Sequence, residues 1–134
     1  MGQPAARESD RVTGSDTHIC LVPSASGSVP TPIAGHRFSG PLTSGLSPDV
    51  TIDGRAAATV NSVAANQPPH VPVPPGTSFV RTPANRGVVS RGSGSVTING
   101  RAAARQGDPV RSCNDPVDLE TSSISSGSAT VAIG

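Results

Sequence analysis

Apolar and polar residues alternate in short bursts along this chain, and the bursts repeat. Residues 50–58 read VTIDGRAAA and residues 96–104 read VTINGRAAA. In each, Val and Ile flank a Thr, which predicts a strand with one apolar face. Asp53-Gly54 and Asn99-Gly100 follow, dipeptides suited to a type I′ turn because both central residues take positive φ. The Arg-Ala-Ala-Ala after each turn predicts the return strand of a hairpin. Its small side chains let neighbouring hairpins approach closely, although the same run in isolation favours a short surface helix.

Partial copies open and close the chain. GQPAAR (Gly2 to Arg7) aligns with the second copy, with Gly2 on Gly100, Arg7 on Arg105, Asp10 on Asp108 and Val12 on Val110. GSATVAIG (Gly127 to Gly134) repeats the run that leads into Val96. The layout is the tail of a unit, two long units and the head of a unit. The first and last segments are expected to complete one unit between them, closing a pseudo-symmetric object whose copies pack on one another. The connecting segments look different. Residues 21–34, LVPSASGSVPTPIA, have no helical period and read as loop. Residues 66–76, NQPPHVPVPPG, read as extended chain wrapping the hairpins, since Pro is confined to sheet edges. SSISSGS (Ser122 to Ser128) reads as a mobile loop before the last strand.

Composition sharpens this picture. The 134 residues are expected to form a single domain, 1–134. Only 34% are hydrophobic, the aromatic residues are Phe38 and Phe79 alone, and Gly and Pro number 15 and 14. That composition makes a disordered adaptor one rival reading. A net charge of +1 and the regular placing of β-branched residues argue for a fold instead. A fold with so little to bury needs a staple. All ten basic residues are Arg, scattered and balanced by nine acids, so no basic stripe points to nucleic acid. Neither a signal peptide nor an apolar run of membrane-spanning length is expected. The chain therefore reads as soluble, outside the general secretory route, and without a fused effector domain after Gly134.

The staple most compatible with the residues is a metal. The candidates are His18, Cys20, His36, His70 and Cys113, which are all the His and Cys present. A structural zinc site takes four such ligands. His18 follows the opening copy, His70 the first full copy and Cys113 the second, so pseudo-symmetry brings those three toward a common axis. Cys20, two residues from His18, shares its strand face. It is a competing ligand, a small buried hydrophobe, or half of a Cys20–Cys113 disulfide, which the lack of an export signal argues against. Asp16 either orients an imidazole or caps a turn. A four-ligand site has no open position for catalysis.

Pro4-Ala5-Ala6-Arg7, its variant Ala102-Ala103-Ala104-Arg105 followed by Gln106-Gly107-Asp108, and the Asn-Gly-Arg turn and Gly-Ser-x-x-Val run before it resemble the PAAR-repeat family. The resemblance runs from Gly2 to Gly134. It implies an all-β fold: a small pseudo-three-fold cone of β-hairpins with long Pro/Gly-rich loops. It implies a structural, non-enzymatic tip on the spike of a contractile injection machine, with a zinc ion near the vertex held by three His and one Cys. Carried to this chain, the ligands are His18, His36, His70 and Cys113. The partner implied is a trimeric β-helical, VgrG-like spike on which one copy sits as a monomer. The base strands facing it carry Val50, Ile52, Val96, Ile98, Val131 and Ile133. An effector bound non-covalently is a further implied partner, and the target membrane is met only in passing.

The stretches DTHIC, GHRFSGPL, LSPDVTI, PPHVPVPPGT and PANRG look most like the short PAAR proteins of extracellular, phage-tail-like particles, assembled in the cytoplasm and extracellular after release or firing. A type VI secretion tip is the alternative. One copy departs from the family pattern, with Thr59-Val60-Asn61-Ser62 where Arg-x-Gly-Asp is usual. A small zinc-dependent hydrolase or toxin is a rival from another class. It rests on the metal candidates alone, because Glu8 and Glu120 are the only Glu and neither adjoins a candidate ligand in sequence.

Overall fold

Each VTI-x-G-R-A phrase folds back on itself, and the computed structural model, which describes residues 2–134, shows how the copies join. The strands in chain order are β1 (Gln3–Pro4), β2 (Arg11–Ser24), β3 (Gly27–Ser44), β4 (Thr51–Ile52), β5 (Arg55–Ala56), β6 (Val63–Ala65) and β7 (Ser78–Phe79). They continue with β8 (Arg86–Val89), β9 (Thr97–Ile98), β10 (Arg101–Ala102), β11 (Pro109–Ser112), β12 (Leu119–Ile124) and β13 (Ala132–Ile133). No helix occurs among the described residues, so the protein is all-β.

The Arg-Ala runs are return strands. Ile52 pairs with Arg55 and Ile98 with Arg101, around turns with φ of 54° at Asp53 and 53° at Asn99. The third position is filled by β1 and β13, with Gln3 opposite Ile133. These three two-stranded units are related by a near-three-fold axis, which the backbone shows directly. The Ala6 N–H donates to the Ala104 carbonyl, Ala104 to Ala58, and Ala58 to Ala6, each at 3.0 Å. This closed ring needs three backbones near one axis, and only small side chains leave room for that. Ala5, Ala57 and Ala103 pack just below it with Ile52, Ile98 and Ile133.

The units are also latched edge to edge. Ser47 donates to the Asn99 side chain at 2.6 Å, Ser93 to the Gly134 carbonyl at 2.5 Å and Ser128 to Asp53 at 2.5 Å. Asp53 takes a further bond from Thr130 and pairs with Arg7 at 2.8 Å. Hydrogen bonds from Ser128 and Thr130, with help from Arg7, hold the Asp53 carboxyl below its usual range. A depressed folded value means that the latch stabilises the protein above the ordinary carboxylate pKa and is lost as pH falls through the lowered value. Asp53→Asn is therefore expected to flatten the acid limb of a stability–pH profile measured by urea unfolding. An unaltered acid limb would rule the latch out as a source of acid sensitivity.

Above the alanine ring, β12, β11, β8, β6, β3 and β2 form an antiparallel sheet that closes on itself through a β12–β2 pairing. Its interior follows the same three-fold rule. Val12, Ala64 and Val110 come from the first strand of each pair, and Leu42, Val89 and Ile124 from the second. Phe38 lies against one end of this core and touches His70, with ring centroids 6.3 Å apart. The departing copy keeps the turn by other means. Thr59 N–H bonds Ser62 Oγ at 2.9 Å, where Arg7 and Arg105 bond the carboxylates of Asp10 and Asp108 at 2.8 Å.

Two segments differ from the sequence expectation. Residues 21–34 are not loop: they belong to the long β2–β3 hairpin. Pro30 and Pro32 pair with Leu21 and Ile19, on a stretch of β3 that no strand covers from the other side among the described residues. Proline is tolerated there because its missing N–H faces outward. The expected mobile loop at Ser122–Ser128 begins as strand, since Ser122 to Ile124 complete β12 against Gly14, Thr13 and Val12. Gly14 makes that approach feasible, because a Cβ there would lie 2.1 Å from Ser122 Oγ. Residues 66–76 do lie outside the sheets, as their prolines dictate.

Candidate metal centre

The far end of the β2–β3 hairpin gathers most of the ionisable side chains that the core can reach. Asp16, His18 and Cys20 alternate on β2, so all three face the same way. His36 stands opposite Asp16 on β3. The register slips between Asp16 and His18, and Gly35, at φ of 89°, takes up the extra residue. His70 arrives on the Pro-rich segment, whose backbone is pinned where His70 N–H bonds Asn85 Oδ1 at 2.8 Å. Cys113 follows β11 directly.

The three imidazoles pack edge to face, with centroids 5.1 Å apart for His18–His70, 5.2 Å for His18–His36 and 5.7 Å for His36–His70. Donor atoms of Asp16, His18, His70 and Cys113 all lie within 4.8 Å of one another. Cys113 Sγ is 3.8 Å from His18 Nε2 and 3.7 Å from Asp16 Oδ2. Ligands sharing a tetrahedral zinc sit on the order of 3.5 Å apart, so these separations suit an ion between them. His36 stands beside this group with Nε2 at 3.8 Å from Cys20 Sγ and 3.2 Å from the Val73 N–H. Its Nδ1 is buried and has no hydrogen-bond partner among the described residues. Both cysteines are free thiols, so the disulfide alternative is absent.

Asp16 does orient an imidazole, one of the two readings of the sequence, and the ring is that of His70 rather than of its neighbour His18. It bonds His70 Nε2 at 2.8 Å and collects donors from Ser112 at 2.6 Å and Thr121 at 2.9 Å. His18 is held instead by Asp115, 3.3 Å from its Nδ1. Sequence reasoning missed Asp115, Arg81 and the Ser112–Thr121–Asn114 network. The one signal for Asp115 was its place two residues beyond Cys113.

The electrostatics favour a soft cation. Burial pushes the Cys113 thiol up to about 11, with the Asp16 charge adding to it. Burial also lowers His18 and His36, the latter with help from its imidazole neighbours, so both rings favour the neutral form. Burial tends to raise Asp16, but bonds from His70, Ser112 and Thr121 outweigh it and the carboxyl stays ionised. A fully buried carboxylate beside a buried thiol invites a cation, and among the described residues no Arg contacts it. The close-set His18, His70 and Cys113 donors, with the Asp16 carboxylate among them, fit zinc.

Residues 81–134 match the family model described as PAAR motif. This part of the chain carries a PAAR motif. The matched stretch holds the second VTING copy, Cys113 and Asp115, whereas His18, His36 and His70 lie before it. No curated protein matches the chain. The two Glu of the chain stand apart from the cluster. Glu120 pairs with Arg91 on the surface, and Glu8, whose backbone N–H donates to the Ala56 carbonyl, lies beside the alanine ring.

Proposed function

We propose that this chain, with its PAAR motif at residues 81–134, is a PAAR protein that forms the zinc-clamped tip of the spike of a contractile injection machine. The observation that carries this reading is the near-three-fold base. One chain closes three two-stranded units around an alanine ring, and Val50, Val96 and Val131 stand at equivalent places with 36%, 36% and 39% exposure. Ile52, Ile98 and Ile133 lie just inside them, buried. A monomer with this pseudo-symmetry matches the blunt end of a true trimer, and its short strand edges suit continuation by the strands of a β-helical spike. His18, His36, His70 and Cys113 are the proposed zinc ligands, with Asp16 below them holding His70 in a carboxylate–imidazole pair. Zinc bound there supplies a cross-link between β2, β3, the Pro-rich segment and the strap after β11. A rigid end of this kind concentrates the force of the contracting sheath on a small area of membrane.

The reading takes the machine to be a phage-tail-like particle, assembled in the cytoplasm and acting outside the cell, with the tip itself non-enzymatic. The test is capture by a trimeric spike protein encoded beside sheath and tube genes. The wild-type chain is expected to co-purify with that trimer as one copy per three spike chains. Replacing Val50, Val96 and Val131 by Asp is expected to abolish capture without loss of the fold, because all three are exposed. Failure of the wild-type chain to bind any such trimer overturns the tip role. Capture only by a spike from a type VI cluster reassigns the machine.

A further inference from the structure

We infer that Asp115 is a positioning residue of the metal centre, fixing His18 with its proton on Nδ1 so that Nε2 is left for the ion. The inference rests on the zinc reading above and concerns a residue outside the ligand set. Its basis is that one short strap reaches both ends of the same ring. Cys113 places Sγ 3.8 Å from His18 Nε2, and Asp115, two residues on, places Oδ2 3.3 Å from His18 Nδ1. An ionised carboxylate accepts only, so the ring nitrogen facing it must carry the hydrogen. The opposite nitrogen then presents its lone pair toward the thiol.

The strap has no freedom to deliver this any other way. Asp115 N–H bonds the Thr17 carbonyl at 2.9 Å, and Thr17 N–H bonds Asn114 Oδ1 at 2.7 Å, which stitches the strap to β2 at the residue before His18. Asp115 Oδ2 also takes the Ile19 N–H at 2.9 Å. Its other oxygen is gripped by Arg81, which reaches on to the Asn114 and Pro116 carbonyls. The Asp115 side chain is only 5% exposed while Arg81 is 61% exposed, so the guanidinium acts as an outer clasp on a buried carboxylate. A carboxylate so thoroughly fixed orients the imidazole and raises its basicity as a ligand.

The test measures zinc affinity by chelator competition and reads the His18 tautomer by long-range 1H–15N NMR of the zinc-loaded protein. In the wild type, His18 is expected to be metallated at Nε2 and protonated at Nδ1. Asp115→Ala is expected to bind zinc about 10–100-fold more weakly. Asp115→Asn is expected to recover most of that loss, because its amide oxygen still accepts from Nδ1–H. Arg81→Ala is expected to show a smaller loss in the same direction. Wild-type His18 metallated at Nδ1 overturns the inference without recourse to any variant, which keeps it decidable if Asp115→Ala does not fold. Wild-type affinity in a folded Asp115→Ala protein overturns it as well while leaving the zinc site standing. A wild-type protein that takes up no zinc removes the zinc reading itself, and the inference with it.

Discussion

Removal of the proposed zinc is expected to cost this protein several kcal/mol of stability, up to the 10–16 or so that structural zinc sites provide in small domains. The loss should be uneven. The barrel interior of Val12, Leu42, Val89, Val110 and Ile124 is a core of its own and does not include the histidines. The end above it is different, with His18, His36, His70, Asp16 and Cys113 buried together and little apolar surface among them. Without a cation, the Asp16 carboxylate remains buried among imidazoles and a thiol with poor compensation. Chelated protein should therefore lose amide protection in the outer β2–β3 hairpin, in residues 66–76 and in β7, while β6, β8 and β11 stay protected longer.

The binding should also depend on pH in a defined direction. A thiol pushed up to about 11 is protonated at neutral pH, so metal uptake must expel its proton. Apparent affinity is then expected to rise about tenfold for each pH unit gained below that value. Chelator competition at several pH values reads the slope. A flat profile would mean that Cys113 is not a ligand, and unchanged melting after complete chelation would remove the clamp altogether.

Much of the lower half of the molecule was legible in the sequence because its determinants are local. A strand of alternating Val, Thr and Ile, an Asp-Gly or Asn-Gly turn and a run of Ala define a hairpin within nine residues, and the φ values at Asp53 and Asn99 follow from the turn chemistry. The meeting of the ends was legible for the same reason, since Gln3 and Ile133 occupy places already defined by the two complete copies. The upper half was less legible. LVPSASGSVPTPIA folds mostly on itself, with Leu21 to Ser24 opposite Pro30 to Gly27, but its prolines break the alternating pattern by which a strand is recognised. Cys20 beside His36 and Asp115 beside His18 are products of register, which spacing along the chain does not reveal. The gathering of His18, His70 and Cys113 was foreseeable from pseudo-symmetry. The choice of Asp16 as the partner of His70 was not, because it is set by the crossing of the Pro-rich segment over β2.

Gly40→Ala is expected to be the most damaging single-methyl substitution in the barrel, and the reason is space rather than backbone conformation. Gly40 pairs with Val12 on β2, while the chain leaving β6 crosses directly over its other side. A Cβ there would stand 1.7 Å from the Ala65 carbonyl oxygen and 2.6 Å from its carbon. Backbone cannot rotate away as a side chain can, so β3 and the end of β6 must part. Gln67 N–H bonds the Ser39 carbonyl at 2.9 Å and Ser39 N–H bonds Asn66 Oδ1 at 2.9 Å, so parting the strands strains or breaks both.

Overpacking of this kind costs about 3 kcal/mol or more, against about 1 where a flexible group can yield. Gly87 supplies the contrast, since its Cβ would meet the Val110 side chain at 2.7 Å and a methyl can shift. Gly54 supplies another, with open space but φ of 79°, where Ala pays only the left-handed strain of about 1–2 kcal/mol. Urea midpoints of the three Ala variants, measured with zinc bound, should fall in the order Gly54 or Gly87 above Gly40. Equal midpoints would show that the β3–β6 crossing yields where the barrel geometry says it cannot. The metal content of the folded fraction should be unchanged in all three, because none of these glycines contacts the histidine cluster.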